Sequence, residues 1–271
     1  MFSYRGRGIA HEKKDKGCQD YLKAAFADNG NCILALSDGA SSADYAQASA
    51  EVTVSSLVEY FSNVSLSEFL SRSTDCQVRE ILNYLQNQIR GLSKEKECTD
   101  LRQFSSTVLL AVSDREDVLI FHLGDGEIFL LDTEGNICFV SGPDNAPGTS
   151  NVTYFSVSND AEEHARLSVF SIREMRLESI LMMSDGPEMM FYNRGIKRTD
   201  RTAAEILGYV RDGIIKSNED LADILDQMAE IPAERMDDWS MIISDFRSAH
   251  VYKEPVVVSM LEEEHQKYLQ E

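Results

Sequence analysis

A chain of 271 residues, 43% of them hydrophobic, holds enough apolar material for one large core or two small domains, and no run approaches the roughly 18 consecutive apolar residues of a membrane span. With 46 acidic residues against 26 basic ones the net charge is −20, a field that repels nucleic acid and anionic membrane surfaces, so neither is an expected partner. Five cysteines without a C-x-x-C pair argue against a disulfide framework or a thiolate zinc site, and the charged N-terminus has no apolar segment behind it, so the reducing cytoplasm is the expected location.

In chain order, residues 32–37 (CILALS) form a compact apolar run that ends at Asp38-Gly39 and predicts a buried strand. Ala46, Ala50, Leu57, Val58 and Phe61 recur at helical spacing over residues 43–61, and Val78, Ile81, Leu82, Leu85 and Ile89 do the same over 77–92. Then the period changes. Residues 106–112, 118–123 and 127–132 are β-type runs, and Gly124-Asp125-Gly126 between the last two predicts an antiparallel hairpin. A turn leads into a run at 137–140, and residues 141–152, with Pro143 and Pro147, read as an exposed loop. Strands resume at 153–157, 167–172 and 179–183. Helices follow at 203–215 and 220–230, the second led by Ser217 three residues ahead of Asp220, before a last strand at 239–245. No linker divides residues 1–250, which read as one domain, and residues 251–271 read as a peripheral helix or tail. Strands gathered mid-chain with helices before and after predict an α+β fold of packed antiparallel sheets covered by helices.

Four segments share a grammar in which an apolar run meets an aspartate, usually followed by glycine. They are Leu36-Ser37-Asp38-Gly39, Leu123-Gly124-Asp125-Gly126, Met183-Ser184-Asp185-Gly186 and Met236-Asp237-Asp238-Trp239; Gln19-Asp20 adds a fifth acidic position. Asp-Gly is a favoured turn pair, so each taken alone reads as a turn, and a hairpin would account for Asp125-Gly126 outright. Taken together, they supply carboxylate and carbonyl oxygens, the donors that Mg²⁺ and Mn²⁺ select. Two such ions about 3.5–4 Å apart can share a carboxylate, lower the pKa of a water between them and clamp a phosphoryl oxygen. The phosphate-binding motif GxxxxGK[ST] and a strand-linked GxGxxG are missing, which disfavours nucleotide-dependent enzymes.

From Gly8 to about Phe246 the chain resembles the compact bacterial branch of the type 2C metal-dependent Ser/Thr protein phosphatases. The resemblance lies in Gly8-Ile9-Ala10-His11 with Cys18-Gln19-Asp20, Ala35-Leu36-Ser37-Asp38-Gly39, Ser105-Ser106-Thr107-Val108-Leu109, Gly124-Asp125-Gly126, Met183-Ser184-Asp185-Gly186 and Asp237-Asp238-Trp239-Ser240. It implies a central sandwich of two antiparallel β-sheets flanked by α-helices (αββα). It also implies hydrolysis of phosphoserine or phosphothreonine by water activated by two Mn²⁺ or Mg²⁺ ions. A phosphorylated protein substrate and a Ser/Thr kinase counterpart would go with that chemistry. Carried over residue by residue, Asp38 bridges both ions with the Gly39 carbonyl beside it, and Asp185 and Asp237 hold the first ion, which makes Asp38, Asp185 and Asp237 the catalytic set. Asp20 serves the second ion largely through water, and Asp125 a third, weaker site; whether Asp237 or Asp238 is the ligand stays open.

Three departures from the family pattern stand out. Gln19 replaces a glutamate, Asp15 occupies the place of the arginine that grips phosphate, and Ala40-Ser41 follow the metal-binding Asp-Gly where some members carry a histidine. Lys14, Lys16, Arg5, Arg7 and His11 are open as substitutes for that arginine, with His11 and Lys16 taken as the candidates for phosphate binding; a structural role for His11 is an equal alternative. Trp239 reads as core packing and Thr107 as a buried strand residue. The departures motivate a second reading, in which the chain is a catalytically weak member acting as a regulatory phosphoprotein-binding module.

Overall fold

The computed structural model describes residues 1–145, 153–187, 200–228 and 236–246, and the dipeptide Val258–Ser259. Its strands are β1 (Phe2–Arg7), β2 (Tyr21–Phe26), β3 (Cys32–Ser37), β4 (Val108–Ser113), β5 (Asp117–Leu123), β6 (Glu127–Asp132), β7 (Ile137–Ser141), β8 (Arg166–Ser171), β9 (Leu177–Met183), β10 (Trp239–Asp245) and β11 (Val258–Ser259). Its helices are α1 (Ile9–Lys13), α2 (Ala46–Asn63), α3 (Leu66–Leu70), α4 (Thr74–Glu95), α5 (Ala161–His164), α6 (Asp200–Arg211) and α7 (Asn218–Met228), with a 3₁₀ turn at Leu101–Phe104.

Two sheets result. One runs β2-β3-β4-β5-β8 and the other β11-β1-β10-β9-β6-β7, antiparallel throughout except where β11 lies parallel to β1. Runs such as CILALS are apolar up to their final serine because both faces of their sheet are covered. Leu34 and Leu36 of β3 point inward, where they meet Ile120 and, from the other sheet, Ile128, Ile180, Met182 and Ile242. Ile33 and Ala35, one residue out of phase, point outward and pack with Val54, Leu57, Phe61, Ile81 and Leu85 of α2 and α4. On the opposite outer face Phe129, Leu181, Met241 and Ile243 pack under Ile206 and Leu207 of α6 and Leu221 and Leu225 of α7. The layers are therefore helix, sheet, sheet, helix, as the sequence leads one to expect.

Strand register decides where the acidic residues go. In one sheet Ser37 lies opposite Tyr21, Leu36 opposite Leu109, and Val108 opposite Leu123. In the other, Met183 lies opposite both Glu127 and Met241, and Gly6 opposite Trp239. The ends of β3, β5 and β9 and the starts of β2, β4, β6 and β10 thus share one end of the sandwich.

Several sequence expectations need correction. The hairpin expected across Gly124-Asp125-Gly126 does not form: β5 and β6 belong to different sheets, and the tripeptide is the crossover between them. Two strands that are apolar on both faces gain more by each completing a separate buried sheet than by pairing locally. The strand expected at 153–157 is reduced to a single bridge between Thr153 and Asn145, followed by turns. Val258–Ser259 pair with the outer edge of β1, so this dipeptide is strand where a helix is expected over 255–271; the rest of that stretch lies outside the described residues. The elements β1 and α1 lie in a polar, charge-rich stretch and were not foreseen; nor was β2, a short apolar run interrupted by Lys23. Helix α6 stops at Arg211, short of the expected 215, because Gly213 adopts φ +69°, a left-handed conformation that ends a helix. Ser217 does cap α7: its Oγ accepts the Asp220 N–H at 3.1 Å, and the Asp220 carboxylate accepts the Lys216 N–H at 2.8 Å.

Among the described residues no helix is long and apolar enough to cross a membrane, and all five cysteines are free thiols.

Candidate metal centre

The shared end of the sandwich opens as a cleft of about 510 Å³. Four carboxylates from distant parts of the chain line it: Asp38 directly after β3, Asp125 in the β5–β6 crossover, Asp185 two residues past β9, and Asp237 two residues ahead of β10. Oxygens from Asp38, Asp125 and Asp185 all lie within 4.8 Å of one another. Gly39, Ser41, Ser42, Thr153 and Phe155 complete much of the lining.

Thr107, also in the wall, fixes Asp38. Its N–H donates to the Asp38 carbonyl at 2.8 Å and its hydroxyl accepts the Asp38 N–H at 2.9 Å, while Ser37 Oγ donates to the Thr107 carbonyl at 2.6 Å. With the backbone tied on both sides, the Asp38 carboxylate leaves the strand end in a set direction. Asp20, just before β2, is fully buried beside it. Ser184 Oγ donates to Asp20 Oδ2 at 2.8 Å and itself accepts the Ser240 N–H at 3.0 Å, linking β9 and β10 to this acid.

So many carboxylates in one place are costly without counter-charge. Burial, and then the like charges of Asp20, Asp185, Asp237 and Asp125, raise Asp38 well above the ordinary carboxylate range. Burial and then Asp238 raise Asp20 to about 7, against hydrogen bonds from Ser184, Ser240 and Asp38 that lower it. Burial raises Asp237 as well. The donor set is entirely oxygen, with the carboxylates of Asp38, Asp125 and Asp185 converging at the cleft. These residues fit a hard divalent cation.

A stability prediction follows. Asp20 holds its proton with a pKa near 7 when folded, against about 4 when unfolded, so between those values the native state binds more protons. Stability of the chelated protein is therefore fully supported below about pH 4 and is lost as pH rises toward 7. Thermal melts in EDTA are expected to give a higher Tm at about pH 5.5 than at about pH 7.5, and the slope should flatten in Asp20→Asn. An unchanged slope in that variant would refute the assignment.

The two neighbouring acids of the 236–239 segment face opposite ways. Asp237 lines the cleft, whereas Asp238 is buried, with Oδ1 accepting the Gly8 N–H at 2.7 Å, Oδ2 accepting the Gln19 N–H at 2.5 Å, and His11 Nδ1 at 2.9 Å from Oδ2. The hydrogen bond to Asp238 raises the His11 pKa against the opposing effect of burial. His11, expected at the phosphate, is thus occupied with Asp238 and does not line the cleft, because α1 turns its imidazole into the core. Lys16 stands closer to the opening: its Nζ donates to the carbonyl of Ser41 at 3.0 Å. None of the described residues lining the cleft is Arg or Lys.

Gly186 is required where it is, since a Cβ there would collide with the Asp238 carbonyl oxygen. The crossover that carries Asp125 is held by Arg166, whose guanidinium donates to the Gly124 carbonyl at 2.9 Å and to the Gly142 carbonyl, and whose charge faces Asp144 and Asp125. Sequence reasoning passed over Thr107 as an anchor, Ser184, Arg166 and the inward role of Asp238. Only the serine preceding Asp-Gly at both Ser37 and Ser184 offered a signal.

The family model described as Protein phosphatase 2C matches residues 7–226. Among solved structures, the serine/threonine phosphatase Stp1 from Staphylococcus aureus superposes with a TM-score of 0.65 at 14% identity, over 90% of this chain and 93% of that one. A bacterial serine phosphatase gives 0.65 at 14% identity over 92% of this chain and 98% of its own. The catalytic domain of the serine/threonine protein phosphatase PstP, in complex with two manganese ions, gives 0.63 at 15% identity over 90% and 96%. These likenesses show a shared fold. No curated protein sequence matches the chain.

Proposed function

Because the chain belongs to the protein phosphatase 2C family, we propose that it is a metal-dependent Ser/Thr protein phosphatase acting on phosphoserine and phosphothreonine. The observation that carries this reading is the convergence of Asp38, Asp125 and Asp185 oxygens within 4.8 Å at the foot of an open cleft. Two Mn²⁺ or Mg²⁺ ions, with a third at a weaker site, would supply the activated water and neutralise the phosphoryl oxygens. Asp38, with the Gly39 carbonyl, would serve both ions, Asp185 and Asp237 would hold one of them, Asp20 the other through water, and Asp125 the third. Thr107 and Ser184 hold Asp38 and Asp20 in orientation. Lys16, at Ser41, is the cation we assign to the substrate phosphate in place of the family's arginine. The substrate is a phosphorylated protein, which requires a Ser/Thr kinase counterpart, and the five free thiols suit a reducing cytoplasm.

One observation favours a second reading. With no Arg or Lys among the described lining residues and neutral Gln19 beside Asp20, the site can hold a phosphoprotein without turning it over efficiently, as a regulatory module would. Turnover of p-nitrophenyl phosphate and of a phosphothreonine peptide, with Mn²⁺ and with EDTA, separates the two. Metal-dependent hydrolysis is expected; peptide binding without turnover at any Mn²⁺ concentration would favour the module. Asp185→Asn should lower kcat by about a hundredfold or more and Asp125→Asn by roughly tenfold, since only the former would hold an ion that touches the reacting water. Equal losses would contradict the weaker third site.

A further inference from the structure

We propose that Asp238 is a positioning residue that, with His11, joins three remote segments and thereby sets Asp20 and Asp237 for cation binding. The inference rests on the metal-centre reading above. Asp238 is 2% exposed, and its carboxylate accepts the Gly8 N–H at 2.7 Å and the Gln19 N–H at 2.5 Å, with the His11 imidazole against it at 2.9 Å. The first two partners are 230 and 219 residues away in sequence. Gly8 caps α1, His11 lies within it, and Gln19 immediately precedes Asp20. The grip is returned, since the Ala10 N–H of α1 donates to the Met236 carbonyl at 3.0 Å.

Each of these bonds ends one residue from an acid of the centre. Fixing the Gln19 N–H fixes the peptide plane leading into Asp20. Asp238 also orders its neighbour directly, because its own N–H donates to Asp237 Oδ1 at 2.9 Å. Asp237 Oδ1 is thereby held in place at the lining of the cleft. Such partners behind the ligands commonly tune metal affinity by about 10- to 100-fold. A carboxylate engaged on two backbone N–H groups and a buried imidazole cannot also turn toward the cleft, so its part is to orient and not to ligate.

The test uses the full chain and Mn²⁺ alone, with affinity read by isothermal titration calorimetry and by the electron paramagnetic resonance signal of free Mn²⁺. Asp238→Asn keeps the side-chain volume but sets an amide N–H against a backbone N–H, and is expected to weaken Mn²⁺ binding by about tenfold or more. His11→Leu should weaken it as well, whereas His11→Asn, whose amide N–H can stand in for Nδ1–H, should restore much of the affinity. Tm in EDTA is measured alongside, and the His11 pair carries the test if Asp238→Asn does not fold. Wild-type affinity in the folded variants, or a His11→Asn no better than His11→Leu, would overturn the positioning role alone. A wild-type protein that binds no Mn²⁺ would overturn the metal-centre reading and this inference with it.

Discussion

Asp38→Asn is expected to abolish turnover and, at the same time, to make the cation-free protein more stable. The two effects share one cause. Asp38 sits in a half-buried cleft facing the charges of Asp20, Asp185, Asp237 and Asp125, so its ionised form is disfavoured without counter-ions and favoured with them. The isosteric amide keeps the backbone bonds to Thr107, which do not involve the carboxylate. It removes the negative charge that two ions would share, and a loss of roughly a thousandfold or more in kcat is the expected size for a shared ligand. In EDTA near neutral pH the variant should melt a few degrees higher than wild type, by roughly the 2–4 °C per kcal/mol of a domain this size. Saturating Mn²⁺ should raise the wild-type Tm and leave the variant's nearly where it was. A structural aspartate would behave differently, with Tm and activity falling together. That pattern would remove Asp38 from the centre.

The parts of this molecule legible in the sequence are those where one local signal suffices. β3, β6 and β10 appear at residues 32–37, 127–132 and 239–245 because each is an apolar run bounded by aspartate, glycine or a turn. Helices α2 and α4 were visible through residues such as Leu57, Phe61, Ile81 and Leu85, which recur on one face and bury against β3 and β4. What could not be read locally is partnership. Leu123-Gly124-Asp125-Gly126 has the composition of a hairpin turn, but the choice between pairing β5 with β6 and sending them to different sheets depends on β8 and β9, many residues downstream. The same non-local information decides the site. Asp237 and Asp238 are indistinguishable as neighbours in sequence; the bonds from Gly8 and Gln19 to Asp238 turn one inward and leave the other at the cleft. His11 looked like a phosphate ligand because a lone histidine in a basic stretch carries no mark of the buried carboxylate that claims it.

Trp239→Ala should show how far the centre depends on the core beneath it. Trp239 is 1% exposed, opens β10 opposite Gly6, and packs with Tyr4, Ile9 and Met241 directly below the turn that bears Asp237 and Asp238. Truncating a buried tryptophan costs about 3–5 kcal/mol through lost burial and the cavity left behind. For a domain of this size that is a fall in Tm of roughly 10 °C. Stability alone would make this an ordinary core substitution, so Phe121→Ala is the control. Phe121 is also fully buried, but it lies among the residues that join β4 and β5 to α2 and α4, on the outer face of the other sheet. Both variants should lose comparable stability, while at a temperature where both are folded only Trp239→Ala should weaken Mn²⁺ binding, because only its cavity lets the Asp237 turn sink away from Asp38 and Asp185. Trp239→Phe, which refills most of that volume, should recover much of the affinity. If Phe121→Ala weakened Mn²⁺ binding as strongly as Trp239→Ala, cation affinity would follow global stability, and the local support assigned to Trp239 would have to be given up.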